Sequence, residues 1–328
     1  TNAPAPFPGM VCAPCPDNCA LGALCDIDPE KEKMCKEQYP DVPFFKDWKD
    51  MIASGTVDAI ITTVPHYLHH EISIYAMEPG MTVLCEKPAG VRSKDVQKMI
   101  ACAKAHPEVS FGIMFNQRTN CVYRKMHEMV QSGKYGQIKR VNWIITDWYR
   151  TQAYYNSGGW RATWDGEGGG VLLNQCPHNL DLLQWICGLP CRVRAFCHNG
   201  KWHQIEVEDD VTAYLEFPNG ATGVFVTTTA DAPGTNRFEI TLERGKLVAE
   251  HDKLTFFELE QSERDFCFTA TGGFEQPAGH EVTIELDGKN PQHVGVLNAF
   301  AGAILRGEPL VANGTEGIRG LELSNAMH

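Results

Sequence analysis

The chain has 328 residues, enough for two domains with separate cores. It carries 41 acidic and 29 basic residues, a formal charge of −12, and no basic block, which argues against nucleic acid or an anionic membrane surface as a partner. The longest apolar runs are of strand length, so no segment reads as spanning a bilayer, and no signal-like stretch opens the chain at Thr1.

Residues 1–20, rich in Pro, Ala and Cys, lack periodicity and read as a loop. The run 20–27, ALGALCDI, predicts a buried strand with Asp26 at its carboxyl end. Asp28 is the expected N-cap and Pro29 the first-turn residue of a charged helix over 30–38. A helix at 47–53, a strand at 58–64, a helix at 66–77, a strand at 82–85, a helix at 93–105 and a strand at 109–115 follow. This alternation implies βαβ units, and so an α/β first domain over residues 1–117 with a Rossmann-type parallel sheet.

Past Asn116 the pattern changes. A helix at 122–131, a Ser-Gly-Lys turn and a strand at 138–149 lead to residues 166–188, GEGGGVLLNQCPHNLDLLQWICG. Gly168, Gly169 and Gly170 allow a ligand close to the backbone, and Pro177 suits the first position of the helix that follows. On that helix His178, Asp181 and Trp185 fall at i, i+3 and i+7 along one stripe. A histidine beside a carboxylate on a core-seeking helix is either a candidate acid–base pair or a satisfied core histidine. Strands follow at 193–198, 211–217, 222–229, 238–243, 246–250 and 254–260, and residues 321–328 read as part of a helix. The second domain, residues 118–328, is therefore expected to be α+β on an open, mainly antiparallel sheet, whose spare face suits a homo-oligomer.

Thirteen cysteines are scattered rather than spaced as a disulfide framework, which points to a reducing compartment, the cytoplasm. Cys12, Cys15 and Cys19 lie close together but lack a fourth ligand at matching spacing, and His66, His69, His70 and Glu71 lack a third, so no metal is assigned.

Ligands of a doubly wound sheet bind at the carboxyl ends of its strands. Those ends carry Asp26, then Thr63-Val64-Pro65-His66, then Glu86-Lys87-Pro88, then Asn116-Gln117-Arg118. An acid such as Asp26 at a strand tip accepts ribose hydroxyls and repels a phosphate, favouring NAD over NADP, although it serves equally well as a helix cap. Lys87 sets a cation at a pocket mouth or pairs with Glu86. Residues 147–170 hold Trp148, Tyr149, Tyr154, Tyr155, Trp160 and Trp164 with Arg150 and Arg161. Aromatic faces stack on sugar rings and arginines bond hydroxyls or carboxylates, so Trp148, Arg150, Tyr155, Trp160 and Arg161, with Arg118, are candidate contacts for a carbohydrate; core filling is the alternative.

The motifs CDIDPEK, VDAIITTVPHYLHHEI, VLCEKPAG and GGGVLLNQCPHNLDLLQWICG, in that order, resemble the Gfo/Idh/MocA oxidoreductases, the glucose–fructose oxidoreductase and inositol dehydrogenase family, over about residues 21–327. The resemblance implies a Rossmann domain joined to an open-faced α/β domain, NAD or NADP as cofactor, and hydride transfer at a hydroxyl carbon of a sugar or inositol. It makes Lys87 the catalytic lysine of the EKP motif, His178 the catalytic histidine, Asp181 the acid one turn on, and His69 a histidine near the nicotinamide. Thr63, Pro65, Glu86 and Asn116 join Asp26 and Lys87 as expected cofactor contacts. Two features depart from the family. No strand and GxGxxG turn precede Leu21, and Phe7-Pro8-Gly9-Met10 lacks the paired glycines that bring N–H groups to a pyrophosphate. Either residues of the natural protein are missing here or the phosphate loop is lost; the other cofactor positions favour the first. Asn174 stands where many relatives carry aspartate; asparagine can bond a sugar hydroxyl, which makes Asn174 with His178 an expected substrate contact, but it is no base, so proton transfer falls to His178 and Lys87. The expectation is an NAD-dependent oxidoreductase acting on a sugar, glycoside or inositol. NAD-using glycoside cleavage through a keto-sugar and a cofactor-free sugar-binding regulator are the alternatives.

Overall fold

The computed structural model describes residues 19–328. They form two compact units, one comprising residues up to Asn116 with Pro291–Ile318, the other Gln117–Asn290 with Arg319–His328. The sequence division after residue 117 lies one residue from the first boundary, whereas residues 291–318 return to unit 1.

Unit 1 begins with β1 (Leu24–Cys25), α1 (Pro29–Gln38), β2 (Phe44–Phe45), α2 (Trp48–Ala53), β3 (Ala59–Thr62), α3 (His69–Met77), β4 (Thr82–Cys85), α4 (Ser93–Ala105) and β5 (Phe111–Ile113). All its strand pairings are parallel, in two groups, β1-β2 and β3-β4-β5. Val83, Leu84 and Cys85 are buried in succession, the signature of a sheet covered on both faces. Asp28 caps α1 by accepting the Glu30 N–H at 2.9 Å, and Asp47 caps α2 by accepting that of Lys49 at 2.7 Å. The stretch expected as one helix from His66 opens as a 3₁₀ turn, His66–Leu68, before α3.

Unit 2 contains α5 (Cys121–Gln131), β6 (Ile138–Ile145), α6 (Gln152–Tyr155), α7 (Pro177–Cys187), β7 (Arg192–Asn199), β8 (Glu208–Glu216), β9 (Thr222–Thr228), β10 (Asn236–Leu242), β11 (Gly245–Glu250), β12 (Lys253–Leu259), α8 (Glu263–Thr269) and β13 (Gly279–Val282). One eight-stranded sheet runs β13-β12-β11-β10-β6-β9-β8-β7, parallel only at β6–β9. Along β6 the strand alternation buries Val141, Trp143 and Ile145 and exposes Ile144. Trp143 sits opposite Phe238 on β10 and Phe225 on β9, stacked on the first at 4.1 Å and edge-on to the second at 6.2 Å. Each such buried ring stabilises the core by about 1.5–3 kcal/mol. On the same face, α5 contributes Val122, Met126 and Met129, one helical stripe, and α7 contributes Leu180, Leu182, Leu183 and Ile186. Phe196, Tyr214, Phe257 and Ile144 are exposed on the other strand positions.

Helix α9 (Gln292–Arg306) returns to unit 1 because Val296 and Phe300 pack on Leu84 and Met114. Helix α10 (Gly317–Met327) crosses the unit boundary, and its Leu323 and Met327 join the core of unit 2. Among the described residues no helix is long and apolar enough to cross a membrane.

Candidate active site

In unit 1 the pairs Thr62–Cys85 and Cys85–Ile113 lie in register, so the segments leaving β3, β4 and β5 emerge at one edge. They carry Thr63 and Pro65, then Glu86 and Lys87, then Asn116. The Glu86 N–H donates to the Thr62 carbonyl at 3.0 Å, and its carboxylate accepts the Lys87 N–H at 3.1 Å. The Lys87–Pro88 peptide is cis. Asn116, buried, has its amide nitrogen 3.2 Å from His293 Nδ1 on α9.

His69 is 1% exposed, and its ring nitrogens face the carbonyls of Pro88 at 2.7 Å and Val64 at 2.8 Å. It fastens the loop after β3 to the loop after β4 and offers almost no surface to a ligand. Burial holds its pKa below the usual imidazole value, against the two carbonyls and Glu86, which favour the charged ring. Asp26 Oδ1 accepts the Asp28 N–H at 2.9 Å, while Oδ2 makes no hydrogen bond among the described residues. A carboxylate oxygen left open at a strand tip fits the ribose hydroxyls of NAD.

In unit 2 the glycine run is stitched onto the start of β8. Glu208, wholly buried, accepts the Gly170 N–H at 2.8 Å and the Leu172 N–H at 3.0 Å, and its own carbonyl accepts the Val171 N–H at 2.9 Å. A Cβ on Gly170 would lie 1.9 Å from that carbonyl oxygen, so only glycine fits. His328 Nε2 lies 3.1 Å from the same carboxylate, which raises the histidine's pKa despite its burial.

Helix α7 starts at Pro177 and stops at Gly188, whose φ of 84° and ψ of 167° belong to a region open essentially to glycine. Of residues 177–184 only His178 is not buried. Asp181, one turn on, is wholly buried and takes a two-pronged bond from Arg118, Nε to Oδ2 at 2.8 Å and Nη2 to Oδ1 at 2.7 Å, with Gln184 Nε2 3.0 Å from Oδ1. The Arg118 guanidinium also lies 5.1 Å from the Trp185 ring. The stripe expected on α7 is therefore real, but Arg118, expected among the substrate contacts, is 3% exposed and lies inside unit 2.

Tyr154 gathers the polar residues of the 147–175 stretch. Its hydroxyl receives Arg161 Nη1 at 2.9 Å, Asn174 Nδ2 at 3.4 Å and Gln175 Nε2 at 3.5 Å. The guanidiniums of Arg161 and Arg150 lie 4.8 and 5.2 Å from its ring, and Arg161 also stacks over Trp160. Asn174 bonds the Glu167 carboxylate as well. Tyr155 instead points into the interior, its hydroxyl donating to Thr229 Oγ1 at 2.7 Å, and Trp148 packs against the core.

Sequence reasoning missed three buried acids. Glu167 accepts the Ala162 N–H at 2.7 Å, Glu208 holds the glycine run, and Asp209 accepts the N–H groups of Lys201, Trp202 and His203 and faces His203 Nδ1 at 2.9 Å. His203 Nε2 in turn faces the Arg150 carbonyl at 3.0 Å, which fixes the backbone at Arg150. The available signal was Glu208-Asp209-Asp210, three acids running into a strand. Cys12 and Cys15 lie outside the described residues, and Cys19 is exposed. Among the described residues no group of three His, Cys, Asp or Glu side chains is arranged to hold a metal.

Two family profiles match the chain. One, the NAD-binding Rossmann fold of an oxidoreductase family, covers residues 12–113, and the other, the GFO/IDH/MocA C-terminal domain, covers 123–248. The chain is 25% identical to the 1,5-anhydro-D-fructose reductase of Ensifer adhaerens over 62% of its own length and 60% of that protein's. It is 23% identical to the myo-inositol 2-dehydrogenase of Thermotoga maritima over 94% of its length and 88% of the relative's. Among solved structures, the WlbA dehydrogenase of Chromobacterium violaceum, in complex with NADH and UDP-GlcNAcA, superposes with a TM-score of 0.78 at 27% identity, covering 93% of this chain and 84% of the other.

Proposed function

Because the chain belongs to the Gfo/Idh/MocA family, we propose that it is an NAD-dependent dehydrogenase that moves hydride between a ring hydroxyl carbon of a sugar, glycoside or inositol and nicotinamide. The observation that carries this reading is the match of an NAD-binding profile to the first part of the chain and of the family's C-terminal profile to the second. The named relatives, which include an anhydrosugar reductase and an inositol dehydrogenase, support a carbohydrate substrate.

Bound NAD supplies the hydride acceptor. Asp26 would hold its ribose and disfavour a phosphate there, which selects NAD over NADP. Thr63, Pro65, Glu86 and Asn116 would line the cofactor, with His69 fastening the loops beneath them. His178, the one residue of 177–184 that is not buried, takes the hydroxyl proton as general base. Lys87 supplies the cation that stabilises the developing alkoxide. Asp181 acts by fixing α7 through Arg118. We assign to the open face of the unit 2 sheet, with Phe196 65% exposed, the contact between copies in a homo-oligomer, and to the protein a cytoplasmic site of action.

The test is NADH formation, followed by absorbance, with NAD and a panel of free sugars, anhydrosugars, aryl glycosides and inositols. One class should yield NADH, and Lys87→Ala and His178→Ala should each lower kcat by about 10²–10⁴-fold. Retention of near-parent turnover by both variants, or no NADH with any substrate, refutes the assignment.

A further inference from the structure

Arg150 and Arg161 differ from the paired arginines of unit 2. Arg118 and Arg124 meet carboxylates, whereas neither Arg150 nor Arg161 forms an ion pair among the described residues, although both are half-buried and lie against aromatic rings. Each guanidinium carries five N–H donors. Among the described residues, only Nη1 of Arg161 is engaged, by the Tyr154 hydroxyl, and only Nη1 of Arg150, by the carbonyls of Trp148 and Tyr149. Stacking uses the flat faces and leaves the donor edges, the part that matches a carboxylate or phosphate two-pronged.

The buried acids of this stretch, Glu167 and Asp209, are committed elsewhere, and no acid among the described residues forms an ion pair with either arginine. Glu167 bonds Ala162 and Asn174, Asp209 bonds the 201–203 backbone and His203, and Glu206 accepts the Trp164 N–H. Asp147 senses the Arg150 charge without pairing with it. The cluster also has a fixed frame: Arg150 is held through its carbonyl by His203, and Tyr154 is held through its hydroxyl by Asn174, four residues before His178. Two half-buried guanidiniums against one ring, with most of their N–H donors unused among the described residues, suit an anion from the ligand.

We propose that Arg150 and Arg161, held against the Tyr154 ring, bind an anionic group of the substrate, so that the sugar taken by this protein carries a carboxylate or a phosphate. The identity of the ligand as a sugar rests on the dehydrogenase reading; the anion preference rests on the two arginines alone.

The experiment is titration calorimetry of the protein with D-glucuronate, D-glucose 6-phosphate and D-glucose, with and without NAD. At least one charged sugar should bind about 10-fold or more tightly than glucose, the worth of a charge-assisted contact. Tighter glucuronate identifies a carboxylate, and tighter glucose 6-phosphate a phosphate. Arg161→Gln and Arg150→Gln should each erase the preference, with far-UV circular dichroism confirming the fold. Arg161→Lys, which keeps the charge without the fork, should retain part of it and carries the test if a Gln variant fails to fold. Equal binding of the three sugars, binding of none, or a preference that survives both Gln substitutions overturns the proposal. Because binding is read without turnover, charged-sugar binding with no NADH formation sinks the dehydrogenase reading alone.

Discussion

Replacing Arg118 by Met should destabilise unit 2 far more than replacing Arg118 and Asp181 together by apolar residues. The two side chains are 3% and 0% exposed and share bonds of 2.8 and 2.7 Å. Deleting the guanidinium leaves a carboxylate in the interior of α7 without its cation, a change that costs about 3–5 kcal/mol. At ~2–4 °C per kcal/mol for a domain of this size, the melting midpoint should fall by roughly 6–20 °C. Asp181→Leu alone strands the opposite charge and should cost a similar amount. The double variant Arg118→Met/Asp181→Leu removes both ions and should lie within about 1 kcal/mol of the parent or above it. Urea denaturation followed by far-UV circular dichroism, run as a double-mutant cycle, reads the difference directly. Single losses below about 1 kcal/mol, or a double loss equal to the sum of the singles, would show that the two groups do not act as a desolvated pair.

Gly170→Ala should destabilise by about 1–3 kcal/mol and lower turnover, since its methyl meets the Glu208 backbone oxygen, which cannot move aside as a side chain can. Gly159→Ala, with open space around it, is the matched control and should stay within about 0.5 kcal/mol by chemical denaturation; equal effects at the two sites would refute the steric argument. His328 has a pKa raised above its ordinary 6.5, first by its bond to Glu208. A raised folded-state value means that the stabilisation is complete at acid pH, below the unfolded value, and is lost as pH rises through the folded value. The stability gap between the parent and His328→Gln should therefore be largest near pH 6 and close on the alkaline side of the folded-state pKa; a gap constant with pH removes the ion pair from the account.

The elements that the sequence marks well are those whose limits are set by their own residues. Helix α7 starts at a proline and stops at a glycine in a conformation other residues avoid, and both ends fall where Pro177 and Gly188 indicate. Strand β1 is the opposite case: among the described residues the apolar run 20–27 is laddered only at Leu24–Cys25, opposite Phe44 and Phe45. Strand β8, expected to begin at Val211, begins three residues earlier at Glu208, although acids seldom enter a core. Glu208 and Asp209 do so because their acceptors meet backbone N–H groups of a distant glycine run and of the 201–203 turn. Arg118 was assigned to the substrate because it follows a strand end; its partner Asp181, 63 positions later, became visible only in three dimensions. Helix α9 went unread, and its role depends on Leu84 and Met114, some 200 residues earlier by the order of the chain.

Neither unit is continuous, and this has a consequence during synthesis. Unit 1 takes in residues 291–318 and unit 2 residues 319–328. A chain emerging from the ribosome therefore holds Leu84 and Met114 uncovered until α9 is made. The central strand β6 waits for β9 and β10, the latter ending at Leu242, a delay of roughly 5–20 s at about 5–20 residues per second. Both cores stay incomplete until α9 and α10 have been made, so the nascent protein is open to aggregation over that interval.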